Sequence, residues 1–372
     1  MKKITIILKP TSECNFRCKY CYHADTHYEK GKMSIELFEE IVRKSFSCYN
    51  KVELIFHGGE PLLMGYDFFV KAMDIVNKYK REGLVLRMGV QTNGYLLNEK
   101  FCKLFEANDI MPAVSFDGPG KLNCLREKTE EVIERVRELK IKGYKVNLLG
   151  VISKANMNNL DEYYNFAKQA KVHLKLNPIF KSGSATVFDE YLIDYKEYVE
   201  ALKNLFPMWA MDENPLTCFD PLFNLMLVSL GNRGHDCSQC GCLSKWVSIH
   251  HDGSLYPCGR SYTEDYCIGK IQDIDVLSDA FKHDNFAKLL KGAIERRNYC
   301  YNNCEYYSFC QGGCNNDALL GGDLTKPSGF MCSVFKEMVP FIRDYIDNHK
   351  SEIKNPEIIE VIRRIEHVKH ND

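Results

Sequence analysis

The chain has 372 residues, 45% apolar and 27% charged, and its 49 basic side chains are matched by 50 acidic ones. Such a balance excludes the basic footprint of a nucleic-acid or anionic-membrane binder, and no run approaches the roughly 20 apolar residues of a membrane-spanning helix. The first apolar run, Ile4 to Leu8, is too short for a secretory signal, so a cytoplasmic protein is expected; there 17 cysteines imply metal binding or catalysis rather than disulfides.

The length allows a large core plus a smaller domain. From Ile4 to about Asn177, short apolar or β-branched runs alternate with segments of helical period. The runs Ile4 to Leu8, Val52 to Phe56, Val85 to Val90, Met111 to Phe116, Val146 to Val151 and Val172 to Leu176 imply six strands. Between them Phe38, Ile41, Val42 and Phe46 mark one helical face, Phe69, Ala72, Met73 and Val76 another, and Val132, Val136 and Leu139 a third. This alternation predicts a parallel sheet with right-handed crossovers, whose active site forms at the carboxyl ends of the strands. The polar motifs fall at those ends. Cys14, Cys18 and Cys21 follow the first strand, His57-Gly58-Gly59-Glu60-Pro61 the second, Gln91-Thr92-Asn93-Gly94 the third and Ser115-Phe116-Asp117-Gly118-Pro119 the fourth.

Residues 194 to 230 predict two helices, the second opening at Phe219-Asp220-Pro221 with Asp220 as N-cap and Pro221 at its first position. Helical order then breaks. Five cysteines lie within residues 237 to 267 and five within 300 to 332, around a hairpin expected at His251-Asp252-Gly253-Ser254, and together they predict a small metal-stapled domain. Helical pattern returns over Ser333 to Asn348 and Glu357 to His367. Cys48, Cys102, Cys124 and Cys218 are scattered.

Three thiols in the eight-residue loop from Cys14 to Cys21 suit three corners of an iron–sulfur cubane but leave a tetrahedral zinc site one ligand short. His23 could supply that ligand, so a structural zinc site stays open. The Cys-x3-Cys-x2-Cys spacing, with Tyr20 before the last cysteine, resembles the radical S-adenosylmethionine (SAM) superfamily, and Gly58-Gly59-Glu60-Pro61 resembles its SAM-binding motif. The resemblance implies a [4Fe–4S] cluster on Cys14, Cys18 and Cys21 whose fourth iron is chelated by SAM. Reductive cleavage of SAM then yields methionine and a 5′-deoxyadenosyl radical that takes a hydrogen atom from the substrate. It further implies that Gly58, Gly59 and Glu60 hold the SAM amino group, that Ser115 lies near its carboxylate, and that Asn93 and Asp117 face its ribose, with Tyr20 also at the SAM site.

Cys242-x10-Gly253-x4-Cys258, then Cys300-x3-Cys304-x5-Cys310-x3-Cys314, then Cys332 resemble the SPASM domain of radical SAM enzymes that act on peptides and proteins. Only the Cys300 to Cys304 spacing departs, being one residue longer than usual. The likeness implies two auxiliary [4Fe–4S] clusters, hence three in all. One takes Cys242, Cys258 and Cys314 with Cys237, Cys240 in reserve; the other takes Cys300, Cys304, Cys310 and Cys332. Zinc ribbons are the alternative, and Cys267 reads as a spare thiol. The fold implied is α/β: a partial (β/α)6 TIM-type barrel over residues 1–205, bridging helices over 206–236, a SPASM domain over 237–340 and a helical tail over 341–372.

The likeness runs from Ile4 to about Val339 and is nearest to anaerobic sulfatase-maturing enzymes, with which Phe219-Asp220-x-Leu222 is also shared, and to maturases of ribosomally made peptides. The former oxidise Cys or Ser to formylglycine and carry an Asp after the cysteine matched by Cys258, where this chain has Gly259. Glycine accepts no proton, so formylglycine formation would need His57, Tyr22 or Glu264 as base. The expected activity is therefore peptide maturation through a thioether or other crosslink, with His57 the candidate catalytic side chain. The expected partners are a peptide or protein substrate and an electron donor such as flavodoxin or ferredoxin, with no nucleic acid and no membrane. A zinc-stapled binding protein remains the non-enzymatic alternative. With the first strand starting at Ile4, recognition of a leader peptide falls to the barrel face, the C-terminal helices or another protein.

Overall fold

Strand and helix alternate from the N-terminus because each apolar run is followed by an amphipathic stretch with its own stop and start signals. The computed structural model describes residues 2–23, 30–260, 264–327 and 329–369. The order is β1 (Lys3–Thr11), α1 (Ile35–Phe46), β2 (Lys51–Gly58), α2 (Tyr66–Tyr79), β3 (Val85–Thr92), α3 (Glu99–Ala107), β4 (Ile110–Ser115), α4 (Thr129–Ile141), β5 (Asn147–Ile152), α5 (Leu160–Gln169) and β6 (Leu174–Pro178). Each strand pairs in parallel with the next. Ser34 caps α1 through the Leu37 amide, and Asn98 caps α3 through that of Phe101.

The helix faces expected from the sequence are the buried ones: Phe38, Ile41, Val42 and Phe46 on α1, Phe69, Ala72, Met73 and Val76 on α2, and Val132, Val136 and Leu139 on α4. Phe56 of β2 meets Phe69 at 5.1 Å between ring centroids, and Phe69 meets Phe105 of α3 at 5.5 Å. Residues of alternate parity along the strands point away from the helices, into the barrel.

Then come α6 (Tyr195–Ala210), α7 (Leu222–Ser229), β7 (Trp246–His250) and β8 (Leu255–Tyr256). Helix α6 opens with a capping box between Asp194 and Glu197 and runs through residue 205. Helix α7 begins at Leu222, one residue later than the sequence suggests, and Asp220 is not its N-cap. The Asp220 carboxylate instead accepts from His235 Nε2 at 2.8 Å and Lys175 Nζ at 3.3 Å, and the lysine cation is a stronger partner than a neutral backbone amide.

The hairpin forms as expected but not within a separate metal-stapled unit. Strand β7 pairs in parallel with β1, from Thr5 opposite Trp246 to Lys9 opposite His250, and β8 folds back antiparallel, giving the sheet order β6-β5-β4-β3-β2-β1-β7-β8. The cause is the edge of β1. That strand is buried along Ile4 to Thr11, so without a second neighbour its backbone groups would be sealed from water unpaired.

The cysteine-rich region holds more helix than its Cys and Gly content suggests. It contains α8 (Asp284–Asn303), α9 (Tyr307–Cys310) and α10 (Asn315–Leu320), followed by α11 (Gly329–His349) against α6 and α7, and α12 (Pro356–Lys369). The buried face of α8 carries Phe286, Leu289, Ala293, Arg296 and Cys300. Its apolar stripe is interrupted by Arg296, which is fully buried and donates to the Gly312 carbonyl at 2.7 Å, the Leu324 carbonyl and Asn315 Oδ1. Arg296→Met should leave three acceptors without a donor and cost about 3 kcal/mol. Thermal unfolding should record the loss, together with iron content reduced relative to the unsubstituted protein.

Candidate active site at the barrel mouth

The loop after β1 and the loop after β2 are one unit. Gly59 N–H donates to the Thr11 carbonyl at 3.0 Å and Glu60 N–H to the Glu13 carbonyl at 2.8 Å, extending the β1–β2 pairing up to the first cysteine. Only glycine allows this. A Cβ on Gly59 would lie 2.0 Å from the Glu13 oxygen, and Gly58 has φ +107° with its Cβ position 2.7 Å from the Thr11 oxygen. Cys14, Cys18 and Cys21 follow on the loop so fixed. Burial pushes the Cys14 thiol up and the Cys18 thiol up to about 11, and among the described residues the cysteines form no disulfide. The donor set fits a [4Fe–4S] cluster with one iron left open: three soft thiols on one short loop, each within electrostatic reach of another.

The Glu60 and Asp117 carboxylates, both expected at the SAM site, are each held by donors within the protein. Glu60 is fully buried; one oxygen accepts from Leu62 N–H at 2.9 Å and Thr92 Oγ1 at 2.8 Å, the other from Asn93 N–H at 2.7 Å. Burial raises its pKa, and those donors hold the carboxylate where it is. The Asn93 side chain continues the link, donating to Asn15 Oδ1 at 2.8 Å beside Cys14. Asp117 accepts from Val151 N–H at 2.9 Å and from Tyr20 OH at 2.5 Å, and Tyr20 OH in turn accepts from Arg126 at 2.7 Å. Tyr20 therefore ties the cysteine loop to the end of β4. The sequence reading missed Arg126, which lies in a turn with no motif around it. Ser115 stays half-buried, with Gln91 Nε2 3.4 Å from its hydroxyl.

His57 stands on the barrel side of β2. Its Nδ1 accepts from Gly58 N–H at 2.7 Å, and burial, then the nearby Lys9, lower its pKa to about 4. His57 is therefore neutral near pH 7. The His23 ring lies 6.1 Å from that of His57 and 4.2 Å from Tyr22. Burial raises the Tyr22 phenol far out of range for a base near neutrality, and Glu264 is exposed. Gly259 abuts β1: a Cβ there would sit 3.3 Å from Ile7 Cγ2.

A second set of thiols gathers around Cys242. Cys237 donates to the sulfur of Cys242, which feels the charges of Cys314 and Cys258. Cys240 turns away toward the Gly234 carbonyl at 3.8 Å. Arg260 donates to Cys314 Sγ at 2.9 Å, pairs with Asp317 at 3.0 Å and lies 4.6 Å from the Phe180 ring centroid. The third set is Cys300, Cys304, Cys310 and Cys332, with Cys310 under the influence of the other three. Cys267 is apart from both, against the Gly269 carbonyl. Among the described residues no three His, Cys, Asp or Glu side chains close on a single metal ion.

Residues 8–167 match the family model for the radical SAM superfamily. A cysteine-type anaerobic sulfatase-maturating enzyme of Clostridium novyi is 27% identical over 357 residues, covering 90% of this chain and 94% of that protein. The solved structure "Native anSMEcpe with bound AdoMet" is 25% identical with a TM-score of 0.81, covering 93% of this chain and 98% of its own. Streptococcus suis SuiB bound to its precursor peptide SuiA shares the fold, with a TM-score of 0.65 at 15% identity over 89% of this chain and 76% of that one.

Gly59→Ala should force the two loops apart. The overlap predicts a loss of about 3 kcal/mol and a cysteine loop that no longer retains iron, while Gly329→Ala, with open space around its Cβ position on a helix, should retain iron. Iron analysis of the two anaerobically purified variants tests this.

Proposed function

We propose that this chain, a radical SAM enzyme by its domain over residues 8–167, oxidises a peptide substrate by two hydrogens and closes a crosslink in it, a thioether being the leading case. Peptide modification is supported by the likeness to a protein-maturing enzyme over nearly the whole chain, including the region of the second and third thiol sets. The crosslink is supported by one observation: position 259, beside Cys258, is a glycine packed against Ile7, so the side-chain base expected there for formylglycine formation is absent.

Bound at the mouth, a [4Fe–4S] cluster and SAM supply hydrogen-atom removal from a carbon that ordinary bases leave untouched. The residues do the rest. Cys14, Cys18 and Cys21 hold that cluster, and the Gly58 and Gly59 backbone, Asn93, Ser115 and Tyr20 line the SAM site. Glu60 and Asp117 hold those groups in register. Cys237, Cys242, Cys258 and Cys314 would hold a second cluster and Cys300, Cys304, Cys310 and Cys332 a third, groups that would supply a one-electron acceptor, with a flavodoxin or ferredoxin as the external donor. The barrel wall around His57 and Tyr22 excludes water from the reacting carbon.

A second reading, formylglycine formation from a substrate cysteine, is favoured by the 27% identity to a cysteine-type sulfatase-maturating enzyme across 94% of its length. Mass spectrometry separates the two. Incubated with SAM, reductant and short cysteine-containing peptides, the protein should release 5′-deoxyadenosine and give a peptide lighter by two hydrogens with its thiol no longer alkylatable. An aldehyde at the cysteine instead selects the second reading. Cys18→Ala should abolish 5′-deoxyadenosine; undiminished release would contradict the cluster assignment. Intact protein should carry about twelve iron atoms per chain, four per cubane, and stoichiometric zinc without iron would overturn the enzyme reading.

A further inference from the structure

In the barrel interior, at the level of the mouth, three neighbouring strands present nitrogen side chains. Lys9 of β1 is opposite His250 of β7, and at a break in the β1–β2 register after Leu8 its backbone comes against Gly58, with its charge felt by His57. His23, from the cysteine loop, closes over them: Lys9, Thr11, Ser12, His23, Gly58, His250 and His251 enclose a cavity of about 10 Å³, close to the least that takes one water. Lys9 is 3% exposed, and its Nζ has no hydrogen-bond partner among the described residues. The Tyr22 ring centroid is 5.7 Å from that nitrogen. Lys9 also lies within electrostatic reach of both Cys21, on the first thiol set, and Cys258, on the second. A buried lysine amine without a carboxylate is anomalous as structure, since a charge there lacks compensation.

We propose that Lys9 is the proton acceptor of the reaction, standing in for the carboxylate that position 259 lacks. This rests on the peptide-oxidising reading proposed above. The substrate loses two hydrogens. One leaves as a hydrogen atom to the SAM-derived carbon radical; the other leaves as a proton, from the thiol or other X–H group, to the Lys9 Nζ lone pair, converting –NH2 to –NH3+. The one remaining electron would be accepted by an oxidised [4Fe–4S] cluster held on the Cys237, Cys242, Cys258 and Cys314 set, so atoms and charge balance.

The surroundings leave a sizeable share of the amine neutral near pH 7. Burial lowers the Lys9 pKa to about 7, and the Cys258 and Cys21 charges oppose that shift without cancelling it. His23, His57 and His250 all have lowered pKa values, through burial first and Lys9 second. Each therefore leaves protonation to the lysine.

Lys9→Met keeps the length and removes the base; Lys9→Gln is the second variant should Met perturb folding. Both should still release 5′-deoxyadenosine on reduction with SAM, while peptide product per 5′-deoxyadenosine falls at least tenfold. In the unsubstituted enzyme, product formation should rise with pH through about 7, and the variants should lose that rise. A second readout needs no turnover. Because the folded pKa lies below the unfolded one, the unfolded chain holds the extra proton between about 7 and 10.5, so the holoprotein should gain stability as pH rises across that window. Thermal unfolding should show that gain in the unsubstituted protein and its absence in Lys9→Met. An unchanged product ratio, or stability profiles that run parallel, would overturn the assignment. Failure of every peptide to react would instead count against the function proposed above, leaving the unfolding comparison to judge Lys9.

Discussion

The site depends on two backbone hydrogen bonds, Gly59 N–H to Thr11 and Glu60 N–H to Glu13. They lock the end of β2 beneath the loop that carries Cys14, Cys18 and Cys21, and they exist because positions 58 and 59 have no Cβ. The buried Glu60 carboxylate then fastens the third loop through Thr92 and Asn93, and Asn93 returns to Asn15 beside the first cysteine. From the other side, Tyr20 anchors the same loop to Asp117 and Arg126. A cluster loop without these ties would need its binding energy to order the chain as well as to hold iron.

A second constraint is the open edge of β1. Strand β7 satisfies it and so brings the chain beyond residue 240 into the barrel sheet rather than leaving it tethered alongside. Cys258, two residues past β8, thereby reaches the mouth from the opposite side to Cys21, with Lys9 feeling both. The juxtaposition of the first and second thiol sets follows from sheet pairing, and it sets the space in which a peptide would be oxidised.

Much of this could be read in the sequence because the signals were local. Short apolar runs located six strands, period-3.6 patterns located the buried faces of α1, α2 and α4, and Cys237 hydrogen-bonds Cys242 while Cys240 does not. What could not be read was set by long-range pairing. Helix α8 was hidden because Arg296 occupies its apolar stripe, and the bonds that make that burial tolerable come from residues up to 28 positions away. Asp220 resembled a cap since His235 and Lys175 are distant in sequence. The amides that hold Glu60 and Asp117, those of Asn93 and Val151, lie on other strands' ends and carry no sequence signal. Lys9 carried a signal that went unused: a charged residue with the inward parity of Thr5 and Ile7 inside an otherwise apolar strand.

The central claim is that the Cys14, Cys18 and Cys21 loop holds a cluster with one iron open to SAM. Electron paramagnetic resonance of the anaerobically reduced holoprotein, recorded with and without SAM, tests it most directly. The account predicts that SAM alters the signal of one cluster, that the change survives Cys310→Ala in the third set, and that it vanishes in Cys18→Ala. A spectrum indifferent to SAM, or a SAM response that persists in Cys18→Ala, would contradict it.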